Sequence, residues 1–380
     1  MRKQLVAFVA LVLLAVLLAG CGLIHREQRG ETSTVTAVPP TNTAVAPTLT
    51  VPPPRPTNKP SPSATPLPGT ARIALGVYQP AANPLSHGTA IDQYTKEMGR
   101  KPAFAWFSVK WQTLDGNYTQ FDPRLLDQFR IRGIMPGITW DASKGPALNK
   151  DQPDFSWQAI ASGKHDAYIT QVAKAAAAYH YPFVLRTLHE MDGNWYPWGY
   201  RANGNENPAD YAIAWRHIVS IFRREGATNV QFAWVIAAGV LNDNLLNKYG
   251  DILKQMYPGD EYVDWVGLDG YSDLGSNPRS LQDVFQPSYQ FLTNLTKRPI
   301  MFFEVGCTEN PNDPMAKANW ITQGFLTTIP TVFPNVQVVN WFNSENDKKD
   351  KNYAIDTSQN SLNAWKQVVS NRLYQGSLIK

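Results

Sequence analysis

The sequence contains little cysteine. Its 380 residues include only Cys21 and Cys307, so one disulfide at most is available, and none if Cys21 carries a lipid. A small scaffold held together by several disulfides is therefore excluded. The fold must be stable through its hydrophobic core alone.

The sequence also lacks an excess of charge in its main part. Residues 1–70 carry six basic and two acidic groups, which leaves 29 basic and 29 acidic residues in the remainder of the chain. A neutral surface has no electrostatic preference for phosphate backbones. Nucleic acid is therefore not expected as a partner.

Several catalytic motifs are missing. The segment 189–193 (HEMDG) begins like the metalloprotease motif His-Glu-x-x-His, but Gly193 stands where the second histidine would be. The sequence has no serine-hydrolase elbow Gly-x-Ser-x-Gly, no P-loop and no dinucleotide-binding glycine motif. These absences predict that neither a metal nor another cofactor takes part in the chemistry.

The N-terminus resembles a bacterial lipoprotein signal. Two basic residues precede an apolar run over 5–18, which is too short to span a membrane, and the sequence Leu-Ala-Gly-Cys follows at 18–21. This pattern predicts a signal peptide at residues 1–20 and a lipidated Cys21. The protein is then expected in the cell envelope, anchored to the membrane by lipid and facing outside the cytoplasm.

A linker is predicted after the lipidated cysteine. Residues 31–70 contain eleven prolines, ten threonines and three serines and no aromatic residue. Such a composition cannot bury enough apolar surface to offset its conformational entropy. We expect residues 21–70 to be a lipidated N-terminus and disordered Pro/Thr-rich linker, and residues 71–380 to form one folded domain.

Apolar runs typical of strands alternate with helical patterns along the domain. This alternation indicates a parallel sheet with crossover helices. Eight runs over about 300 residues predict a (β/α)8 TIM barrel. A doubly wound sheet is the alternative, but the expected glycine-rich turn after the first strand is missing. The runs are 72–78, 103–109, 134–140, 183–189, 230–236, 263–271, 300–304 and 336–342.

Polar and aromatic residues collect where these strands end. Active sites of such barrels lie at the carboxyl ends of the strands. A glutamate there costs several kcal/mol to desolvate unless it is paired. Each glutamate could belong to a structural ion pair, for example Glu190 with Arg186. The strand-end residues are Trp140, Asp141, His189, Glu190, Asp269, Tyr271, Glu304 and Trp341.

Two glutamates beside aromatic rings are what glycoside hydrolysis requires. One carboxyl group protonates the leaving oxygen while the other attacks or stabilises the anomeric centre. Flat aromatic rings bury the C–H faces of sugars, and polar neighbours bind the hydroxyl groups. The aromatic candidates are Trp140, Trp195, Trp198, Tyr271 and Trp341.

Three segments of the sequence resemble glycoside hydrolase family 26, whose known members include endo-β-1,4-mannanases. They are VLRTLHEMDGNWYPWG at 184–199, DYAIAWRHIVSIFRREGATNV at 210–230 and VDWVGLDGYS at 263–272. The resemblance covers most of residues 72–370. It implies a (β/α)8 barrel with the acid/base on strand four and the nucleophile on strand seven.

The resemblance also implies roles for individual residues. Glu190 would be the acid/base and Glu304 the nucleophile of a retaining enzyme. The remaining positions would bind or orient the substrate: Arg186 and His189 around the carboxylates, Trp195 at the cleavage point, Tyr271 beside the nucleophile and Trp341 under the bound sugar, with Trp198, Trp140 and Asp141 nearby.

Departures from the family leave the substrate open. Asp192 replaces the usual asparagine and is expected to raise the proton affinity of Glu190. The segment 139–141 (Thr-Trp-Asp) lies on strand three, where a histidine is expected in mannanases. The first expectation is hydrolysis of β-1,4-mannan by a monomer, and the alternatives are a β-1,3-1,4-glucanase, a β-1,3-xylanase, a glycosyl transferase on the same scaffold or a non-catalytic glycan-binding lipoprotein.

Overall fold

The structure is a computed structural model, and it describes residues 73–145, 150–238, 243–345 and 351–379. The side chains of residues 243–248 are not described. The predicted signal peptide, the predicted lipidation site Cys21 and the whole of the predicted linker lie outside these ranges. Within them, no helix is long and apolar enough to cross a bilayer.

Eight parallel strands pair in chain order, and the last strand pairs with the first. This closure confirms the predicted TIM barrel and excludes the doubly wound sheet. The strands are β1 Ala74–Tyr78, β2 Phe104–Gln112, β3 Met135–Lys144, β4 Phe183–Thr187, β5 Val230–Ala237, β6 Trp265–Ser272, β7 Ile300–Cys307 and β8 Val336–Phe342.

Helices connect the strands and cover the outside of the barrel. They are α1 His87–Met98, α2 Pro123–Arg130, α3 Trp157–Ala161, α4 Asp166–Tyr179, α5 Pro208–Arg224, α6 Asp243–Met256, α7 Leu281–Leu295, α8 Ala316–Gln323, α9 Ile329–Val332 and α10 Gln359–Ser370. A π-helical turn over Gly324–Thr328 joins α8 to α9.

Local sequence explains where helix α7 begins. The Ser280 hydroxyl accepts a hydrogen bond from the Asp283 backbone N–H at 3.1 Å, and the Asp283 carboxylate accepts one from the Ser280 N–H at 3.2 Å. This reciprocal capping satisfies two N–H groups that have no partner within the helix. The start of the helix is therefore set by a few residues, independently of the barrel.

The strands divide the core into two layers because successive side chains point to opposite faces. One layer lies between strands and helices, and the other fills the barrel. Gly137 belongs to the inner layer, where a Cβ atom would lie 2.5 Å from the Phe104 ring. The inner residues are Ala74, Phe104, Trp106, Met135, Val184, Ala233, Val235, Trp265, Met301, Phe303 and Val338.

Several strand boundaries differ from the sequence-based prediction, and the differences at β3, β4 and β7 concern the site. Strand β3 continues four residues beyond Trp140, and β7 continues to Cys307, so this buried thiol ends a strand. Strand β4 stops at Thr187, two residues before the predicted end, because Leu188 adopts a positive φ of 44° that breaks the ladder. The predicted boundary included His189, which lies beyond the strand.

The indole of Trp365 provides a test of the outer layer. It is fully buried in α10, packs 5.2 Å from the ring of Trp341 and donates a hydrogen bond to the Tyr94 hydroxyl at 2.9 Å. We expect Trp365→Ala to lower the free energy of unfolding by about 3–5 kcal/mol, because it opens a large cavity. Urea denaturation measures the change.

The control for this experiment is Leu114→Ala, which truncates a side chain that is 67% exposed. It should change the free energy of unfolding by no more than about 0.5 kcal/mol. Equal stabilities of the two variants would contradict the placement of Trp365 in the core.

Candidate active site

A pocket of about 520 Å³ opens at the carboxyl ends of the strands. It brings together residues from strands that are far apart in the sequence, including both predicted catalytic glutamates. Six of its lining residues were candidates from the sequence: Asp141, Arg186, His189, Glu190, Tyr271 and Glu304. The other six are Tyr78, Trp106, Ser108, Thr139, Tyr196 and Phe342.

Glu190 reaches the pocket through an unusual backbone conformation. Its φ is +49°, and Leu188 before it has +44°, a region that side chains other than glycine rarely adopt. The Glu190 N–H donates to the carbonyl of Val235 at 2.9 Å, which ties the loop to β5. Strained backbone of this kind costs on the order of 1–3 kcal/mol and persists only where the surrounding structure enforces it.

The indole of Trp195 orients the Glu190 carboxylate. Its Nε1–H donates to Oε2 of Glu190 at 2.7 Å. The ring lies so close to Gly193 that a Cβ atom there would be 2.3 Å from it. Gly193, which argues against a metalloprotease motif, has no side chain and therefore leaves room for the Trp195 ring.

A β-bulge brings Glu304 into the pocket. In the pairing of β6 with β7, Leu268 pairs with Phe302 and the next residue, Asp269, pairs with Glu304. Strand β7 therefore holds one extra residue, Phe303, at this point. Such an insertion changes the direction of the following side chain. Phe303 therefore fills the barrel interior while Glu304, directly after it, lines the pocket.

Two donors hold the Glu304 carboxylate. The guanidinium of Arg186 donates to one oxygen and the hydroxyl of Tyr271 to the other. Burial and the charge of Glu304 raise the pKa of Tyr271 well above its ordinary value, so the hydroxyl keeps the proton that it donates. The carboxylate is fixed at both oxygens.

Arg186 lies inside the barrel below the pocket. Its Nη1 donates to Asp269 at 2.6 Å and its Nε to the Thr139 hydroxyl at 2.9 Å. The guanidinium also lies 4.0 Å from the centre of the Phe303 ring. Burial alone would lower the pKa of Arg186, but the charges of Asp269 and Glu304 outweigh it and raise the pKa.

Asp269 is the second carboxylate on this guanidinium. Burial raises the pKa of Asp269 well above its ordinary value, the positive charge of Arg186 opposes the shift, and the negative charge of Glu304 adds to it. Because two carboxylates share one cation, the interaction of Arg186 with Asp269 stabilises the site as well as the fold. One interpretation of the sequence was that each glutamate belongs to a structural ion pair. The structure contains such a pair between Glu304 and Arg186.

A stack of aromatic rings holds His189, which directly precedes Glu190 in the chain. Tyr196 stacks on Trp198 with ring centres 4.5 Å apart, and Trp198 donates to the His189 carbonyl at 2.6 Å. The Nε2 of His189 lies 3.2 Å from the Tyr196 hydroxyl. The Nδ1 of the same ring lies 3.7 Å from Oδ1 of Asp141.

None of the four predicted sugar-binding tryptophans lines the pocket, and Trp195 is connected to it through its hydrogen bond to Glu190. Trp140 and Trp341 belong to the outer layer, where their indoles donate to Tyr168 and to the Tyr353 carbonyl. Trp198 is fully buried beneath Tyr196. Trp140 and Trp341 were predicted at the wrong place because neighbouring strand residues point to opposite faces; Phe342, next to Trp341, lines the pocket instead. Trp198 lies between β4 and α5, where its indole is bound to the His189 carbonyl.

Asp192 interacts with the end of β5. Its Oδ1 accepts the Ala237 N–H at 3.0 Å, while its Oδ2 is shielded from solvent without a hydrogen-bond partner. Burial raises the pKa of Asp192 to about 7, against the effect of the Ala237 N–H and with a further contribution from the charge of Glu190. Its expected effect on the proton affinity of Glu190 stays a prediction.

In the ranges that the structure describes, no group of three or more histidine, cysteine, aspartate or glutamate side chains is arranged to hold a metal ion. The chemistry that the pocket can perform is carried by its carboxyl groups. Among them, Glu304 is fixed by Arg186 and Tyr271, and Glu190 is oriented by the indole of Trp195.

Comparison with known proteins supports the resemblance noted in the sequence. Residues 151–301 match the sequence profile of Glycosyl hydrolase family 26. Endoglucanase H of Acetivibrio thermocellus is 34% identical over 288 residues, which are 74% of this chain and 29% of that protein. Beta-1,3-xylanase TXYA of a Vibrio species is 25% identical over 197 residues, 50% of this chain and 37% of that protein.

The fold also matches solved structures. A Cellulomonas fimi endo-beta-1,4-mannanase double mutant superposes with a TM-score of 0.59 over 80% of this chain and 71% of that chain, at 19% identity. This likeness concerns the fold. The chain spans 29% of the length of Endoglucanase H and 37% of the length of the xylanase.

Replacement of Arg186 by methionine tests the charge arrangement. The variant leaves the carboxylates of Asp269 and Glu304 buried without their cation, so we expect the free energy of unfolding to fall by about 3–5 kcal/mol at pH 7. Arg186→Lys keeps the charge but loses the forked donor geometry, and it should lose less. Urea denaturation compares the two variants, and an unchanged stability of Arg186→Met would contradict the buried ion pairs.

Proposed function

We propose that this chain, which matches glycosyl hydrolase family 26 over residues 151–301, is a retaining endo-β-glycanase. The observation that carries the proposal is the pairing of two glutamates in one pocket with different surroundings. Glu304 is held by Arg186 and Tyr271, and Glu190 by Trp195. Hydrolysis by double displacement needs two carboxyl groups with different tasks.

In the first step, a carboxylate oxygen of Glu304 attacks the anomeric carbon. The bond from this carbon to the glycosidic oxygen breaks, and protonated Glu190 gives its proton to the leaving oxygen. The donors from Arg186 and Tyr271 hold the Glu304 carboxylate in one orientation during attack. The product of this step is a glycosyl ester of Glu304 and a released sugar chain.

In the second step, ionised Glu190 takes a proton from water, and the water oxygen attacks the anomeric carbon. The bond to Glu304 breaks and the carboxylate is restored. Two displacements at the same carbon return the original β configuration. Residues that line the pocket, among them His189 and Phe342, would bind the sugar, and Trp195 would lie beside it through its hydrogen bond to Glu190.

The proposal includes two candidate substrates. The resemblance in the sequence favours β-1,4-mannan. The similarity to Endoglucanase H, which extends over 74% of the chain, favours a β-linked glucan as the second candidate. In both cases the sugar is neutral, which suits a pocket lined by Asp141, Glu190 and Glu304.

Variants of the two glutamates test the mechanism. Reducing ends are measured on mannan, barley β-glucan and β-1,3-xylan. Glu304→Ala should lower turnover to that of a blank, because no covalent intermediate can form. Glu190→Gln should lose about 10²–10⁴-fold, with a smaller loss on an aryl β-glycoside whose leaving group needs no protonation. NMR should show the β anomer as the first product of the unmodified protein.

Azide distinguishes the two roles. In Glu304→Ala, azide can enter the space of the lost carboxylate and displace an activated leaving group once, which gives an α-glycosyl azide. In Glu190→Ala, azide replaces water in the second displacement and gives a β-glycosyl azide. The opposite assignment of products would reverse the roles, and full turnover by Glu304→Ala would refute the mechanism. A glycan-binding protein without catalysis would bind the polymers and release no reducing ends.

We also propose that the protein is a lipoprotein held in the cell envelope through Cys21. The sequence Leu-Ala-Gly-Cys at 18–21 after an apolar run supports this. Expressed in a bacterium with labelled palmitate, the full chain should carry label and enter the detergent phase of a Triton X-114 partition. Cys21→Ser should lose both properties, while Cys307→Ser serves as the control. Labelling of Cys21→Ser would contradict the proposal.

A further inference from the structure

The pocket contains a third carboxyl group that the proposed hydrolysis does not use. Asp141 lies on β3, is 8% exposed and lines the same pocket as Glu190 and Glu304. It faces inward because it alternates with Trp140, which belongs to the outer layer. The backbone therefore places the carboxylate of Asp141 where a bound sugar would lie.

Asp141 differs from the two glutamates in its hydrogen bonds. Glu190 receives the indole N–H of Trp195, and Glu304 receives donors from Arg186 and Tyr271. In the described part of the chain no donor reaches Asp141, and its Oδ1 is buried without a partner. The Nδ1 atom of His189 lies 3.7 Å from this oxygen, beyond hydrogen-bond distance.

A buried acceptor without a donor costs on the order of 1–3 kcal/mol, so its presence in a pocket calls for a partner from outside the chain. Burial raises the pKa of Asp141 to about 6, while the positive charges of Lys110 and Arg186 oppose the shift and Glu304 adds to it. Above this pH the group is ionised and acts only as an acceptor.

The surrounding charges restrict the chemical class of the partner. Glu190 and Glu304 share the pocket with Asp141, and the guanidinium of Arg186 is already bound to Asp269 and Glu304. An anionic group would be repelled by these carboxylates. A neutral donor fits, and the neutral donors of a polysaccharide are its hydroxyl groups.

We propose that Asp141 is a specificity-determining residue whose carboxylate accepts a hydrogen bond from a hydroxyl group of the bound neutral sugar. This inference rests on the proposed function, because it assumes that the pocket binds a β-glycan. The candidate sugars differ in their hydroxyls: the 2-hydroxyl is axial in mannose and equatorial in glucose, and xylose has no hydroxymethyl group. A site that binds one hydroxyl can reject a sugar that lacks it by several orders of magnitude.

The test is Asp141→Asn, which keeps the shape of the side chain but replaces one acceptor oxygen by a donor. The measured quantities are kcat and KM on barley β-glucan, mannan and β-1,3-xylan, and the mobility of the protein in gels that contain each polymer. We expect kcat/KM on the preferred polymer to fall about 10- to 100-fold. The ratio of kcat/KM between the best and the second polymer should change by about tenfold or more.

Asp92→Asn is the matched control, because this carboxylate is exposed on α1 and binds Arg132, and neither residue lines the pocket. It should change neither the rates nor the preference. Urea denaturation of both variants shows whether they are equally folded. A fall of the same size on all three polymers, with unchanged preference, would overturn the proposal and leave Asp141 as a positioning residue for His189.

The gel measurement separates this inference from the proposed function. If the unmodified protein binds a polymer without cleaving it, the proposed hydrolysis is wrong, and a changed binding preference of Asp141→Asn still supports the role of Asp141. If the unmodified protein cleaves a polymer and Asp141→Asn keeps the same rates and preference, the hydrolysis stands and the role of Asp141 is refuted. If none of the polymers is bound or cleaved, both proposals are overturned.

Discussion

The buried positive charge of Arg186 is the constraint on which the candidate site depends. Its guanidinium binds Asp269 and Glu304 together, lies against Phe303 and donates a further hydrogen bond to the Thr139 hydroxyl oxygen. Removing a charge from water is costly, and only good geometry with every donor satisfied offsets the cost. A cation below the pocket therefore requires acidic groups above it, and the interaction that completes the barrel interior also fixes the carboxylate to which nucleophilic attack is assigned.

The two strands that supply the glutamates are both irregular at the point where the glutamates occur. Strand β4 is followed by two residues with positive φ, Leu188 and Glu190, and β7 contains a bulge at Phe303 and Glu304. A regular strand would turn every second side chain inward and leave its neighbour in the outer layer. The irregularities let adjacent residues serve the same side, at a cost that the two large core layers outweigh. The remaining strands, whose pocket residues alternate normally, provide the rigid frame.

Regular features of the structure could be predicted from the sequence and irregular ones could not. The eight apolar runs predicted the barrel because a buried parallel strand has a continuous apolar signature. Trp140 and Trp341 were wrongly predicted to lie at the site. An aromatic residue at a strand end suggests a binding role, but neighbouring residues of a strand point to opposite faces. Asp141 and Phe342, their neighbours, line the pocket. The alternation of inner residues on β8, from Val338 through Asn340 to Phe342, was the signal that could have resolved this. The pairing of Arg186 with Asp269 joins strands 83 positions apart, and no local pattern predicts it.

The distribution of donors gives the pocket two unlike sides. Around Glu304 a cation and a phenol hold both oxygens, so this carboxylate has little freedom to turn and its geometry is set before any substrate binds. Glu190 accepts a hydrogen bond from the indole of Trp195, which is neutral and only half-buried. A group that must give up and take back a proton needs contact with the leaving oxygen and then with water, and a fixed bidentate clamp would oppose both. The carboxylate that must attack one carbon atom from one direction benefits from such a clamp. The unequal surroundings of the two glutamates, more than their mere presence, therefore favour hydrolysis over a passive binding role.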